Sequence, residues 1–372
     1  MDKVSLGEVT TENRETFTGK KSEYPVVGLE HLTPEDVTLS NWSEPSDNSF
    51  SKFFRAGDVL FGRRRAYLKK AAMAPFDGIC SGDITVIRAI PGKIHPKLLP
   101  FIIQNDDLFD FAVGRSAGSL SPRVKWEHLK NYQFYLPDIQ EQENTAKVLW
   151  SINETIQAYR QLLAKTESLE YSLFLEMIRT SGRENTLGDF VKRYSPQRCG
   201  NRDLPVLSVT KERAIVFQDE RFESTVASVD KGNYLIVPRG YIVQGIHIDE
   251  GNFGLQSLVD EGIVSPAYKI WKIISADIVP ELLEYYLRSA KAIEYYTHNF
   301  QGTTVKRRQT IKADDLLAMP LNLPDMDGQR EFWRIKTQID CSKESLNRSI
   351  IEARALQRKI VTSKFVITRK EI

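Results

Sequence analysis

The sequence predicts an α+β protein with two similar globules and two long helices that form an antiparallel coiled coil. Three observations lead to this fold class. An internal repeat spans about half of the chain, and short apolar runs bounded by Gly, Pro and Asp indicate strands in the first part of each copy. The second part of each copy has apolar residues at a seven-residue spacing, which is typical of a coiled coil.

The repeat is a series of matching segments that keep their order along the chain. Single matches are weak because turn residues recur by chance, but an ordered series indicates two copies of a domain plus a segment. The period is too long for a solenoid. The matches are residues 6–9 with 187–190, 25–27 with 205–207, 55–62 with 238–245, 78–81 with 262–265, 96–99 with 280–283, Gly118 with Gly302, Arg123 with Arg307, 136–138 with 323–325, and Gln142 with Gln329.

The first part of each copy is predicted to be a mixed globule of strands and short helices. Apolar runs at residues 59–61 and 84–87 in the first copy, and at 234–237 and 241–243 in the second, are candidate strands. A short helix is expected after Pro96 and after Pro280, because Pro is favoured at the first helical position.

The second part of each copy is predicted to be one long helix. No Pro or Gly occurs between Pro137 and Gly182, and ~40 residues at ~1.5 Å each would make a rod of roughly 60 Å. A row of apolar residues at this spacing, here called a seam, is commonly explained by a helix that packs on its own domain. Because the two helices occur at equivalent positions of the two copies, pairing of the helices with each other is favoured. The seam residues are Leu149, Ile152, Ile156, Tyr159, Leu163, Leu173 and Met177, then Phe332, Ile335, Ile339, Leu346, Ala353, Leu356 and Ile360, with Thr166, Glu170, Ser342 and Ser349 as polar members.

These patterns divide the chain into four segments. Residues 1–137 and 183–323 are the two globules, and residues 138–182 and 324–372 are the two helical regions.

Composition limits the function classes. With 372 residues, 41% hydrophobic content and a net charge of +2, the chain reads as an ordinary soluble protein of more than one domain. The small net charge gives no indication of a nucleic-acid partner, so that argument depends on where the charges lie. The three cysteines are far apart and no apolar signal or membrane-spanning segment is recognised, so a cytoplasmic location is expected.

Several motifs resemble the specificity subunits of type I restriction-modification enzymes. The resemblance lies in residues 54–61 (FRAGDVLF), 63–70 (RRRAYLKK) and 76–83 (FDGICSGD). Residues 136–142 (LPDIQEQ) look like the start of that family's first long helix. The second copy, LPDMDGQ, has Gly328 where the first has Glu141, and the second globule matches mainly through the internal repeat.

The resemblance implies a function without catalysis by this chain. In that family two target-recognition domains alternate with two helical regions, and each domain reads one half of a split double-stranded DNA target. The helical regions set the spacing of the halves and dock two modification subunits, which bind S-adenosylmethionine and methylate adenine. Restriction and motor subunits, which use ATP and Mg²⁺, join for cleavage. No cofactor, metal or catalytic residue is expected on this chain, and the source is expected to be bacterial or archaeal.

Two basic groups in the first globule are candidates for DNA contact. Residues 52–70 hold seven basic side chains and one acid, Asp58. Arg and Lys contact phosphates, and Arg also reads guanine with two hydrogen bonds. Consecutive arginines cannot share one face of a strand, so some are expected to pair with acids or face solvent. The candidates are Arg63, Arg64, Arg65, Lys69 and Lys70, then Arg115, Ser119, Arg123 and Lys125.

The second globule has one such group at the position that matches residues 115–125. Its glycine, Gly302, permits close approach of the backbone, while hydroxyl and basic side chains suit phosphate oxygens. Gln244 and His247 are candidates either for base reading or for a structural role. The group consists of Gln301, Thr303, Thr304, Lys306, Arg307, Arg308 and Lys312.

Two other classes of function remain open. A nuclease or a self-sufficient methyltransferase would need a site that is not evident, since the sequence has no phosphate-binding loop, no metal-ligand spacing and no tetrapeptide of an amino-methyltransferase. Residues 265–268 (SPAY) are the nearest string to that tetrapeptide and are predicted to be a turn before a strand. A coiled-coil adaptor that binds only protein is the third class, and the repeated Gly-plus-basic segments argue against it.

Overall fold

The computed structural model describes residues 1–46, 48–118, 121–181, 184–219, 231–300 and 311–367. The chain forms two compact units. The first comprises Met1–Ala164 together with Glu344–Ile372, and the second is Lys165–Lys343. The first unit is therefore discontinuous in sequence, because the whole second unit lies between its two parts.

The first unit contains nine strands and the start of a long helix within its described residues. These elements are β1 (Asp2–Ser5), α1 (Leu6–Val9), β2 (Thr10–Asn13), β3 (Val26–Val27), β4 (Lys52–Phe54), β5 (Val59–Gly62), β6 (Ala71–Met73), β7 (Gly78–Cys80), β8 (Ile84–Ala89), α2 (Leu99–Ile103), α3 (Asp106–Gly114), α4 (Trp126–Leu129), β9 (Gln133–Leu136) and the first part of α5 (Ile139–Thr180).

A four-stranded antiparallel sheet with the order β2-β8-β5-β6 organises this unit. Side chains alternate between the two faces of a strand. In β5, Val59 and Phe61 pack on the side of the helices, while Leu60 packs on the side of a smaller sheet, β3-β7-β4. Both faces of β5 are buried, which explains why it reads as a continuous apolar run in the sequence.

The second unit repeats this topology. Its elements are β10 (Val191–Tyr194), β11 (Leu207–Thr210), β12 (Ala214–Phe217), β13 (Leu235–Pro238), β14 (Tyr241–Gln244), β15 (Phe253–Leu255), β16 (Glu261–Val264), β17 (Lys269–Ile273), α6 (Pro280–Leu287), α7 (Ala290–His298), α8 (Ala313–Leu317) and the first part of α9 (Met326–Phe365).

The sheet order β10-β17-β14-β15 corresponds strand by strand to β2-β8-β5-β6. The smaller sheet corresponds as well, since β13 pairs antiparallel with β16, as β4 does with β7. A parallel bridge between Val206 and Ile263 takes the place of the β3-β7 pair. The internal repeat inferred from the sequence is thus a repeat of fold.

Gln142 and Gln329, which the repeat aligned, make equivalent hydrogen bonds. The Gln142 side chain accepts from the His95 backbone and donates to the Pro137 carbonyl, at 2.8 Å each. Gln329 accepts from the Val279 backbone at 2.9 Å and donates to the Pro324 carbonyl at 3.0 Å. Both side chains are buried. Each glutamine therefore joins the start of a long helix to the globule that precedes it in sequence.

The short helices after the two prolines differ slightly from expectation. Helix α6 begins at Pro280, as predicted, but α2 begins at Leu99 rather than directly after Pro96. Pro100 lies at the start of α2, so Pro is still within its first turn.

The two predicted long helices are confirmed, since α5 has 42 residues and α9 has 40. Within the first unit they run antiparallel, since Lys364 pairs with Glu141 at 2.8 Å while Gln357 lies against the Leu149 carbonyl at 3.4 Å. Within the second unit they are also antiparallel, since Phe174 packs against Phe332 while Glu170 pairs with Lys343. The predicted α+β class, with two sheet-rich globules and paired long helices, is confirmed.

The seam residues were largely predicted correctly. Leu149, Ile156 and Phe332 are buried, and Leu163, Ile339 and Leu346 are half-buried. Leu356 was assigned wrongly, because its side chain is 51% exposed and the neighbouring Gln357 faces α5 instead. A 3.6-residue helix drifts relative to a strict seven-residue repeat, so a regular extrapolation along α9 misplaces such a position.

Candidate nucleic-acid interface

The first predicted basic group follows the central strand β5. The chain leaves the sheet at Gly62, makes a 3-10 turn over Ala66–Leu68 and returns to the sheet at β6. Both residues that flank this turn are in the left-handed region, Arg65 with φ 55° and Lys69 with φ 50°. The turn thus projects from the end of β5 and carries basic residues on both sides.

The two basic groups of the first globule are adjacent in space. Arg64 and Arg123 form an isolated β-bridge. The Arg65 backbone N–H donates to the Pro122 carbonyl at 2.8 Å, and the Val124 N–H donates to the Arg63 carbonyl at 3.0 Å. Residues that are far apart in sequence therefore form one basic surface, which the sequence alone did not reveal.

Asp83 is a residue of this surface that the sequence argument missed. Arg123 Nε lies 2.7 Å from Asp83 Oδ1 and its Nη2 3.3 Å from Oδ2. Arg64 Nη1 lies 3.5 Å from the same carboxylate and its Nε 2.5 Å from Ser121 Oγ. The hydrogen bond from Arg123 lowers the pKa of Asp83 despite its partial burial, so the carboxylate stays ionised near neutral pH.

Asp83 lies between these two arginines and contacts both guanidinium groups. A carboxylate and a phosphate are both bound by the guanidinium fork, so they compete for it. The only sign of this residue in the sequence was its position at the end of FDGICSGD, directly before β8.

Replacing Asp83 with Asn is expected to raise the affinity for duplex DNA of unrelated sequence, because Arg64 and Arg123 become free to bind phosphates. Each further phosphate contact steepens the slope of log K against log salt by about 0.9. Fluorescence anisotropy over a salt series measures both quantities. Asp260→Asn is a matched control, since Asp260 also pairs with an arginine, Arg239 at 3.1 Å, in the second unit. An unchanged slope in the Asp83 variant would show that these arginines do not reach DNA.

The other candidates of the first globule divide into paired and unpaired cations. Lys69 pairs with Asp106 at 2.5 Å, and Lys70 donates to the Leu29 carbonyl at 2.7 Å, so both also hold the loop in place. Arg65 and Lys125 are exposed, and neither has an acidic partner among the described residues.

Two further candidates of the first globule are Arg115 and Ser119. Arg115 is exposed and lies over the Phe111 ring, 5.3 Å from its centroid. Ser119 lies outside the described residues.

In the second unit most candidates also lie outside the described residues, namely Gln301, Thr303, Thr304, Lys306, Arg307 and Arg308. Lys312 is described and is exposed at the start of α8. Gln244 is buried and accepts a hydrogen bond from Trp271 Nε1 at 2.9 Å, which favours the structural role. His247 is exposed at the start of a 3-10 turn.

The equivalent loop of the second unit has different chemistry. The repeat places Gly245 over Gly62, so Ile246 and His247 follow β14 where Arg63 and Arg64 follow β5. Ile246 is 51% exposed. The two units thus present different side chains from the same place in the same topology.

The described residues also bear on metal binding and membrane insertion. Over the described residues, no group of three or more His, Cys, Asp or Glu side chains could hold a metal ion. Within the same residues, no helix combines the length and the apolar character that crossing a bilayer requires.

Part of the chain is similar in sequence to known proteins. Residues 1–168 match the profile described as type I restriction modification DNA specificity domain. The chain is also similar to the Escherichia coli type I restriction enzyme EcoDI specificity subunit, with 25% identity over 169 residues, covering 44% of this chain. The match spans about a third of that relative, 34% of its length.

Solved structures extend the likeness of fold to both units. One chain, from a structure on complex assembly and conformational transition of a type I R-M system, has a TM-score of 0.56 at 17% identity over 98% of this chain and 97% of its own length. The type I restriction-modification S subunit from M. genitalium has a TM-score of 0.51 at 12% identity, with 96% and 95% coverage. Residues 1–168 are therefore similar in sequence to the type I restriction modification DNA specificity domain, and the whole chain shares its fold with these two solved chains.

Proposed function

We propose that this chain is the DNA-recognition subunit of a type I restriction-modification complex. It binds duplex DNA at a bipartite sequence and catalyses no reaction itself. Residues 1–137 and 183–323 are the two target-recognition domains, and residues 138–182 and 324–372 are the helical regions. The observation that carries this proposal is the joined basic surface at the end of β5, in a segment that matches the specificity-domain profile.

The pairing pattern of that surface supports DNA contact. Arg65 and Lys125 are exposed without acidic partners among the described residues, so they are available for phosphates. Arg64 and Arg123 are both paired with Asp83, so they bind a phosphate in exchange for that carboxylate.

The repeated topology supports a target in two parts. Both units present a loop after the equivalent central strand, but one begins with Arg63 and Arg64 and the other with Ile246 and His247. Base identity is read by side chains at groove edges, so different side chains on the same frame suit two different half-sites. The helical regions, in this proposal, set the spacing between the half-sites.

The outer faces of the helices support partner docking. The seams of the two helices are formed by Leu149, Ile156, Leu163, Phe332, Ile339 and Leu346. A partner subunit would therefore contact other positions of these helices. Val148, Leu162 and Leu169 are 52%, 50% and 54% exposed and share one position of the seven-residue repeat of α5. On α9, Ile351 is 67% exposed. Apolar side chains at such positions are typical of helices that contact another protein.

In this proposal the partners are two adenine-methyltransferase subunits and, for cleavage, restriction and motor subunits. S-adenosylmethionine, ATP and Mg²⁺ bind to those subunits rather than to this chain. The complex operates in the cytoplasm of a bacterial or archaeal cell, where its DNA substrate is.

The test is to express the chain with its modification partner and to map methylated adenines in the genome. We expect a motif of two short specified sequences separated by unspecified bases. The purified chain incubated with labelled S-adenosylmethionine and duplex DNA is expected to transfer no methyl group until the modification subunit is added.

Each alternative function gives a different result in this experiment. Stoichiometric methyl transfer by the chain alone, or cleavage by it, would assign it a catalytic site of its own. If methylation is unchanged when the chain is omitted, and if the chain does not bind duplex DNA, its function would instead be that of a protein-binding adaptor.

A further inference from the structure

The turn Ala66–Leu68 exposes two large apolar side chains within the basic surface. Tyr67 is 55% exposed and Leu68 is 39% exposed, whereas Ala66 is buried in the core of the first unit. An exposed aromatic ring beside an exposed aliphatic side chain forms an apolar surface that a ligand can cover. The turn therefore has an anchored base and an apolar tip.

The turn is held rigidly at both ends. The Leu68 and Lys69 backbone N–H groups donate to the Arg65 and Ala66 carbonyls, at 2.9 Å each. The Lys69 carbonyl accepts from the Glu35 backbone at 3.0 Å and from Gln104 Nε2 at 2.8 Å. Arg65 and Lys69 are in the left-handed region, which L side chains rarely adopt, and such strained positions persist where surrounding contacts fix them.

Charges next to the tip indicate what covers it. Exposed Arg65 directly precedes the turn, and Arg64 and Arg123 lie beside it through the bridge and the Arg65–Pro122 hydrogen bond. The acids at this surface are engaged with cations, Asp83 with Arg123 and Asp106 with Lys69. A polyanion with apolar groups between its charges complements such a surface, and duplex DNA presents base edges between its phosphates.

We propose that the turn Ala66–Leu68 is the base-contacting tip of the first unit and that Tyr67 is a specificity-determining residue. This inference rests on the proposed function and names the part of the surface that discriminates sequence. The arginines bind the phosphates on either side, and the tip enters the major groove. Its ring contacts the apolar part of a base edge, such as the thymine methyl group.

Neighbouring residues of this surface have different roles in DNA binding, namely affinity and discrimination between sequences. Arg64, Arg65 and Arg123 supply affinity that depends on salt and is similar for all sequences. Tyr67 and Leu68 supply discrimination, since base contacts and not phosphate contacts distinguish sequences. The rigid turn fixes the register of the tip relative to the phosphate contacts.

The experiment measures the sequence preference of the full chain with duplex libraries in which the methylated motif is randomised one half at a time. The proteins compared are wild type, Tyr67→Ala, Tyr67→Phe and Tyr171→Ala. Tyr171 is a matched control, because it is 39% exposed but lies on the part of α5 that belongs to the second unit. Circular dichroism and thermal unfolding check that each variant is folded, which is expected because Tyr67 is exposed.

We expect Tyr67→Ala to reduce discrimination at one or two adjacent base pairs by about tenfold, in one half of the motif only. Tyr67→Phe and Tyr171→Ala are expected to keep the wild-type preference. An unchanged preference of Tyr67→Ala, or equal weakening for every sequence, would overturn the inference. If wild type itself shows no preference, the proposed function fails instead, so the two failures are distinguishable.

Discussion

Exchange of residues 1–137 for the corresponding globule of a relative is expected to change one half of the methylated motif and to leave the other half intact. The physical reason is that the first globule has its own sheets and cores, and the candidate contacts Arg65, Lys125 and the turn Ala66–Leu68 all lie within it. Mapping of methylated adenines in cells that express the hybrid with the modification partner measures both halves together.

The structure also shows what the hybrid must retain. Leu149 on α5 and Val361 and Phe365 on α9 belong to the helix-side core of the first unit. Asp36 in the globule is buried and pairs with Arg160 of α5. A donor that places small or polar residues against this helix pair would leave cavities or unpaired buried charges, each of which is destabilising.

A matched control is the exchange of residues 183–323, which should alter the other half only. A folded hybrid in which both halves of the motif change would show that the two globules read DNA jointly. That result would contradict independent recognition while leaving the DNA-binding role intact.

Replacing Phe174 with Ala is expected to lower the free energy of unfolding by about 3–5 kcal/mol. Phe174 lies in the part of α5 that belongs to the second unit, and it is fully buried in the core of that unit. Its ring lies 5.1 Å from Tyr285 and 5.6 Å from Tyr286, with edge-to-face geometry in both cases, and 6.1 Å from Phe332. The substitution removes these contacts and leaves a cavity that rigid neighbours cannot fill.

Urea denaturation of the full chain, followed by circular dichroism, measures this loss. Leu175→Ala is the matched control, since Leu175 is the next residue of the same helix but is 38% exposed. We expect it to change stability by less than about 1 kcal/mol. Equal losses for the two variants would mean that Phe174 is not a packing centre of this unit.

Much of the fold could be predicted because it is encoded in local patterns. The repeat correctly indicated two globules of one topology, down to the equivalent hydrogen bonds of Gln142 and Gln329. The seven-residue pattern gave the long helices and most of their seams. These features depend on residue spacing along the chain, which a sequence shows directly.

The site could be predicted only in part because it depends on contacts between distant segments. The sequence identified Arg64 and Arg123 separately, but their bridge and their shared partner Asp83 required the fold. Lys70 was predicted to contact DNA, whereas in the structure its ammonium group donates a hydrogen bond to the Leu29 carbonyl. Tyr67 was not predicted to contact DNA, because the candidates in this stretch were its basic residues.

The discontinuity of the first unit has a consequence for synthesis of the protein. Val361 and Phe365 complete the core that begins with Leu6 and Val9, yet they follow the whole second unit in sequence. During translation the core of the first globule therefore stays incomplete until the second unit and the end of α9 have been synthesised. Until α9 is made, the face of α5 that carries Leu149 lacks the helix that covers it. Loss of residues 344–365 from the nascent chain would consequently impair the globule made first.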